Sequence, residues 1–238
     1  MKIALIGYGK MGRAIEAIAL KDGHRIVLKI DIDNAGELTN ENLKLSDVAI
    51  EFTTPDNAVK NILKCFEAGV PVVCGTTGWL ERLTEVKQIC EQKNGTFLSA
   101  TNFSIGVNIF FELNKFAASL MRLHKEYNVN IEETHHTQKK DAPSGTAITL
   151  AEQVLQLTNI KSKWVNTNSD NIEDLKIVSK RIDPAAGIHK VKYYSLIDDI
   201  EIIHTAHNRQ GFAKGALLAA EFIKDKKGIF TMKEVLGF

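Results

Sequence analysis

The fold class predicted is α/β: a Rossmann-like dinucleotide-binding domain followed by an α+β domain whose sheet is mainly antiparallel. Three observations predict it. The chain opens on a short apolar run, Lys2–Ile6, that passes at once into Gly7-Tyr8-Gly9-Lys10-Met11-Gly12. Strand-like and helix-like stretches then alternate as far as Ser104. Beyond Glu173, three β-rich stretches follow one another with no helix between them. Alternation marks a parallel sheet with helical crossovers, whereas strands joined by short links mark antiparallel hairpins.

The first strand and the glycine run lead into a helix from about Lys10, with Met11, Ala14, Ile15 and Ile18 as its apolar face. It ends near Gly23, and Arg25–Ile30 is a second strand closed by Asp31. In this order the glycines have separate uses. Gly7 allows the tight turn, Gly9 lets a pyrophosphate approach the backbone, and Gly12 lets helix and strand pack closely. Asp31 lies 19 residues past Gly12, about where a carboxylate reaches a ribose hydroxyl. Its charge repels a 2′-phosphate, which favours NAD over NADP. Asp33 competes for that role, and a solvated strand end is the plainer alternative.

Residues 48–52 form the next strand, and Thr54-Pro55-Asp56-Asn57 starts a helix with Ala58, Val59, Ile62, Leu63 and Phe66 on its apolar stripe. A strand over 70–74 ends in Gly75-Thr76-Thr77-Gly78, and a helix over 80–93 leads to Thr96 and a strand over 96–100. Ligands of an open parallel sheet bind outside the carboxyl ends of its strands. Gly75, Thr76 and Thr77, with Ala100, Thr101, Asn102 and Phe103, therefore belong on the same rim as the glycine run. Ordinary turn chemistry is the alternative for both loops. Cys74 reads as strand filling, since no base accompanies it.

Residues 105–123 form a helix too apolar all round for a surface element. The stretch 131–147, IEETHHTQKKDAPSGTA, then lies between a strand over 128–134 and a helix carrying Ile148, Ala151 and Leu155 on one face. Pro143 with Ser144 and Thr146 is a helix-start signature, and the first N–H groups of a helix welcome an anion. His135, His136 and Lys139 add protons or positive charge beside it. Metal binding is disfavoured, because adjacent residues of an extended chain point to opposite sides and no Cys or neighbouring His completes a ligand set. Structural histidines are the other alternative, and Lys140 is a solvated charge. Residues 158–173 are polar and turn-rich. Strands over 175–182, 188–196 and 201–206 follow, then a helix over 212–224 and a short last element over 229–236.

With 30 Lys+Arg against 29 Asp+Glu, the net charge of +1 gives no case for nucleic acid or a membrane surface. No apolar run reaches membrane-spanning length, and the first one is too short for a signal peptide. Three cysteines without metal-type spacing read as reduced thiols of a cytoplasmic protein. A nucleotide half combined with an anion site argues for hydride transfer completed by a proton.

At this point the residues resemble a known family. His135-His136-x-x-Lys139-x-Asp141-Ala142-Pro143-Ser144-Gly145-Thr146-Ala147 is similar to the signature of the 4-hydroxy-tetrahydrodipicolinate reductases, formerly dihydrodipicolinate reductases. The glycine run, Gly75-Thr76-Thr77-Gly78, Asn102-Phe103-Ser104 and Phe212-Ala213-x-Gly215-Ala216 fall where that family has them. The resemblance implies NADH- or NADPH-dependent reduction of 4-hydroxy-tetrahydrodipicolinate in the diaminopimelate route to lysine. It implies that His135 and Lys139 are the proton donors. It implies that His136, Gly145 and Thr146 bind the cyclic dicarboxylate. Gly7, Tyr8, Gly9, Lys10, Met11, Gly12, Asp31 and the two rim loops would hold the cofactor. It also implies a dinucleotide-binding domain over 1–104, a substrate-binding and oligomerisation domain over 105–208, and a C-terminal helix within 209–238 returning to the first. A homotetramer built through the sheet completes the implication.

The chain departs from the family pattern in places. Its phosphate loop is one residue shorter than in the best-known members, and Ile32 stands where some members carry an Arg for the NADP phosphate. The segment 181–189 keeps an Arg, a Gly and a His with altered glycine spacing, and 157–175 is trimmed. Two other functions compete: another Rossmann-type small amino acid dehydrogenase, such as a diaminopentanoate or homoserine dehydrogenase, and a catalytically inactive NAD(H)-sensing protein. The Asp-Ala-Pro-Ser-Gly-Thr turn argues against the first, and the intact His135 and Lys139 argue against the second.

Overall fold

The computed structural model describes residues 1–208 and 210–238. Residue 209, where the expected C-terminal segment begins, lies outside the described residues. The chain divides into two compact units, Met1–Ile105 with Arg209–Phe238, and Gly106–Asn208.

The first unit is a Rossmann-like α/β fold. Strands β1 (Lys2–Ile6), β2 (Arg25–Ile30), β3 (Val48–Glu51), β4 (Val72–Cys74) and β5 (Thr96–Ser99) alternate with helices α1 (Lys10–Lys21), α2 (Asn40–Leu43), α3 (Pro55–Ala68) and α4 (Leu83–Gln92). The β-branched, apolar strands are buried on both faces, as a parallel sheet with helical crossovers requires. Pro55 occupies the first turn of α3, where its missing N–H costs nothing, and Gly69 ends that helix in the left-handed conformation. The C-terminal segment holds the expected helix, and the short last element expected over 229–236 is a strand followed by a helix. Helix α7 (Gln210–Ile223) packs against α1 and the sheet, and β11 (Gly228–Phe230) adds a sixth parallel strand beside β5, before α8 (Met232–Leu236). The strand order is β11-β5-β4-β3-β1-β2.

The second unit is built from α5 (Ile105–Met121), β6 (Asn128–His135), α6 (Gly145–Leu157), β7 (Lys163–Val165), β8 (Asp174–Arg181), β9 (Gly187–Tyr194) and β10 (Asp199–Ala206). Its sheet has the order β10-β9-β6-β8-β7. This corrects the expectation of a mainly antiparallel sheet. The pairs β10–β9 and β9–β6 are antiparallel, but β6–β8 and β8–β7 are parallel. The reason is the crossover through α6, which returns the chain in the direction of β6. Strand β6 thereby separates β8 from β9, so only β9–β10 is a hairpin. A short strand, β7, also lies in the stretch expected to be turn-rich. One face of the sheet packs on α5 and α6 through Val107, Phe110, Val129, Ile131, Leu150 and Val191.

Candidate active site

The glycine run behaves as its spacing predicts. A side chain at Gly7 would meet the Phe52 carbonyl oxygen at 2.0 Å, and one at Gly12 would meet the Gly7 carbonyl oxygen at 2.4 Å. Gly9, by contrast, has nothing within 4 Å of such a position. The turn is closed on the protein side and open on the outer side. Gly9, Lys10, Met11, Phe52, Thr53, Gly75, Thr76 and Thr77 line a cleft of about 460 Å³ there, a size that suits a bound cofactor segment.

Two loops of that rim are tied together by a residue the sequence did not single out. Glu51 is fully buried at the end of β3 and accepts hydrogen bonds from the Thr53 N–H at 3.0 Å and the Cys74 thiol at 3.0 Å. Thr76 Oγ1 accepts from the same Thr53 N–H at 2.8 Å. Burial, followed by the Glu51 carboxylate, pushes the Cys74 thiol far up, so it stays protonated. Asp31 stands just past β2, exposed, and its side chain caps the following turn by accepting from the Ile32 N–H at 2.9 Å. Tyr8 donates to Glu16, which also pairs with Lys29 at 2.6 Å. Thr101 is exposed, whereas Phe103 lies in the core against Phe52 at 5.8 Å between centroids. The Asn102 side chain accepts from the Ser104 N–H at 2.9 Å.

In the second unit, β6 alternates strictly, and Val129, Ile131, Glu133 and His135 share its buried face. Two apolar residues are thus followed by an acid and a histidine on one stripe. Cross-strand register adds the rest: His189 lies opposite Glu133, and Arg181 lies beside His135. A buried carboxylate costs several kcal/mol unless it is paired, and this one is surrounded. Arg181 Nη2 lies 3.2 Å from one oxygen, and His135 Nδ1 and His189 Nε2 lie 3.4 and 3.8 Å from the other. The Ser144 N–H donates to both oxygens at 3.1 Å. Burial raises the Glu133 carboxyl, but the facing His135 ring and the Ser144 N–H more than reverse this and hold it well below the usual range. Burial, then the neighbouring His135, pushes His189 down to about 3, so it is neutral.

The turn after β6 positions the remaining residues. Lys139 Nζ donates to both oxygens of Asp141 at 2.7 and 2.8 Å. Arg181 clamps the same turn through the Asp141 carbonyl at 2.6 Å and the Lys139 carbonyl at 3.3 Å. Ser144 is the N-cap of α6, accepting from the Ala147 N–H at 3.2 Å. Pro143 therefore precedes the cap, after a cis Ala142–Pro143 bond, and does not occupy the first helical position. Gly145 and Thr146 open the helix. His136 follows directly on the end of β6 and is half-buried.

The structure thus brings His189 to His135, although their separation in sequence had hidden any ligand set. Glu133, His135 and His189 offer ligand atoms within 4.8 Å of one another. The carboxylate is already neutralised by Arg181, however, and a cation there would face that guanidinium. Glu133 was legible in principle: it stands two residues before His135 on a strand whose same face is otherwise apolar.

These features define a class: a two-unit, Rossmann-type oxidoreductase with an ionisable cluster beside a capped helix start. Family models described as "Dihydrodipicolinate reductase, N-terminus" and "Dihydrodipicolinate reductase, C-terminus" match residues 1–103 and 106–236. The chain belongs to the dihydrodipicolinate reductase family, now called 4-hydroxy-tetrahydrodipicolinate reductase. A reductase of that name from Christiangramia forsetii is 50% identical over 237 residues, covering 100% of this chain and 98% of the relative. One from Archaeoglobus fulgidus is 33% identical, covering 99% of this chain and 100% of the relative. The dipicolinate-bound dihydrodipicolinate reductase from Paenisporosarcina sp. TG-14 shares the fold at a TM-score of 0.75 and 24% identity, covering 98% of each chain. An amine dehydrogenase from Mycobacterium smegmatis shares it less closely, at 0.61 and 12%, covering 98% of this chain and 95% of that one.

Proposed function

We propose that the chain carries out the NAD(P)H-dependent reduction of 4-hydroxy-tetrahydrodipicolinate to tetrahydrodipicolinate, the step of the diaminopimelate route to lysine for which its family is named. The observation that carries this reading is His135, held at the end of β6 by a buried, charged cluster and followed at once by the Ser144-capped start of α6. Membership of the family supports it, as does the dipicolinate on the Paenisporosarcina protein, itself a cyclic dicarboxylate.

The glycine cradle fits a dinucleotide. Gly7, Tyr8, Gly9, Lys10, Met11 and Gly12 would hold its pyrophosphate, Asp31 its ribose, and Gly75, Thr76, Thr77 and the 100–103 loop the rest. When bound, the cofactor supplies the hydride. The chain's own residues do the remaining work. N–H groups at Gly145 and Thr146 dock one substrate carboxylate at the positive end of α6, with His136 beside them. His135 or Lys139 protonates the departing hydroxyl so that it leaves as water while the adjacent ring carbon gives up a proton to form the C=C bond, and the other returns a proton to the ring once hydride has been delivered. Asp31 and Ile32 favour NADH, since no cation follows the acid to receive a 2′-phosphate.

The first unit is the dinucleotide-binding domain in this reading, and the second binds substrate and self-associates. Val178, Ile200 and Ile203 are exposed apolar residues on the sheet of the second unit, and β10 is an unpaired edge. A homotetramer would cover them. Cys65, Cys74 and Cys90 are buried and free, which suits a reducing, cytoplasmic setting. Among the described residues no helix is long and apolar enough to cross a membrane.

His135→Gln tests the assignment. Turnover should fall by about 10²-fold or more, with NADH affinity near normal by fluorescence titration. Unchanged turnover would remove His135 from the reaction.

A further inference from the structure

We propose that Glu133 is the positioning residue for His135: its buried carboxylate holds the Nδ1–H tautomer and leaves Nε2 as the atom that exchanges the proton. The inference rests on the reading of His135 as a proton donor, and deepens it.

The geometry around the two rings divides their roles. His135 Nδ1 is sealed from solvent, and the acceptor it faces is Glu133 Oε2, at 3.4 Å. A nitrogen sealed in this way cannot reach a substrate, so proton exchange falls to Nε2. That edge of the ring borders Gly187, where even a methyl group would come within 3.3 Å of Nε2. The absence of a side chain there keeps the reactive edge clear.

His189 does not compete for the carboxylate. Its Nε2 is closer to Ser144 Oγ, at 3.2 Å, than to Glu133, at 3.8 Å. Its ring meets His135 edge-on at 5.0 Å between centroids, which limits rotation of the catalytic imidazole. Arg181 and the Ser144 N–H take the other lone pairs of Glu133 and keep it ionised. A neutral imidazole has one N–H and one lone pair, and the group facing its second nitrogen decides which is which. A contact of 3.4 Å is long for a finished hydrogen bond, but such contacts commonly tighten once substrate is bound. An acid two residues ahead on the same strand face thus sets the tautomer of the histidine that does the chemistry.

The test is a ¹⁵N–¹H long-range correlation spectrum of ¹⁵N-histidine-labelled whole protein, with His135 assigned by its Gln variant. The expected result is His135 as the Nδ1–H tautomer. The Nε2–H tautomer in the wild-type protein would overturn the proposal, even where His135→Gln abolishes turnover and the proposed reaction stands. Conversely, full turnover in His135→Gln would remove the reaction reading while the spectrum still reported the tautomer. Kinetics supply a second readout. In Glu133→Gln, kcat should fall at least about tenfold with the NADH Kd unchanged, and Glu133→Asp, which keeps the charge, should recover part of it. Equal losses in Gln and Asp variants would count against a charge-dependent role. If Glu133→Gln does not fold, the wild-type spectrum alone decides.

Discussion

Arg181 and Glu133 form an ion pair at 3.2 Å inside the second unit, and the same guanidinium nitrogen donates to the Asp141 carbonyl at 2.6 Å. One side chain therefore neutralises the carboxylate beside His135 and fixes the turn that carries Lys139. Arg181→Met should destabilise the protein by about 3 kcal/mol, because it leaves a buried carboxylate without its cation. It should also lower turnover through the loosened turn. Urea denaturation followed by fluorescence checks the first effect; a loss under about 1 kcal/mol would mean that Glu133 is not held by this pair.

Stability should depend on mild acid. The unfolded chain takes up a proton on each histidine near pH 6.5, but folded His189 does so only near 3. A depressed value means the contribution is complete above the unfolded value and is lost as pH falls toward the folded one. Unfolding free energy should therefore decline from about pH 6.5 downward, by up to roughly 1.4 kcal/mol per pH unit for this group. Glu133, also depressed, adds a further decline below the ordinary carboxylate range. His189→Gln should flatten the upper part of this decline. An unchanged slope would assign it to other groups.

The phosphate turn makes two opposite predictions from two glycines. Gly12→Ala places a methyl against the Gly7 carbonyl oxygen and should cost about 1–3 kcal/mol of stability. Gly9→Ala meets open space and should leave the melting temperature nearly unchanged, yet weaken NADH binding by obstructing the approaching pyrophosphate. Thermal melts paired with NADH titration separate the two. A Gly9→Ala protein that binds NADH normally would move the pyrophosphate elsewhere.

Asp31 should make NADH preferred or at least matched. Asp31→Ser combined with Ile32→Arg should shift preference toward NADPH by an order of magnitude, about 1.4 kcal/mol, by exchanging a repulsive carboxylate for a cation. Steady-state kcat/KM with each cofactor decides this, and a large NADPH preference in the wild-type protein would contradict the role given to Asp31.

Most of the first unit was legible because its signals are local. Apolar runs, Pro55 at a helix start and the close packing at Gly7 and Gly12 each depend on a few neighbouring residues. The second unit was legible in its elements but not in its pairing. Nothing in the periodicity of β8 says that its neighbour is β6 and not β9; only the α6 crossover decides it. For the same reason Arg181 and His189, at least 46 residues from His135, could not be placed beside it. Glu133 was within reach, since a strand that alternates Val129, Ile131, Glu133, His135 declares a charge on a buried face. Pro143 shows the opposite limit: Pro-Ser-Gly-Thr announced a helix start, but the cap is Ser144, and the proline sits one residue before it.

Turnover of one substrate decides whether the proposed reaction is the right one. 4-Hydroxy-tetrahydrodipicolinate generated enzymatically in the cuvette should be reduced by the purified chain, seen as loss of nicotinamide absorbance, with NADH at least as effective as NADPH. Oxidation of neither cofactor, by a folded protein shown to bind NADH, would contradict it and leave a nucleotide-binding protein without this reaction.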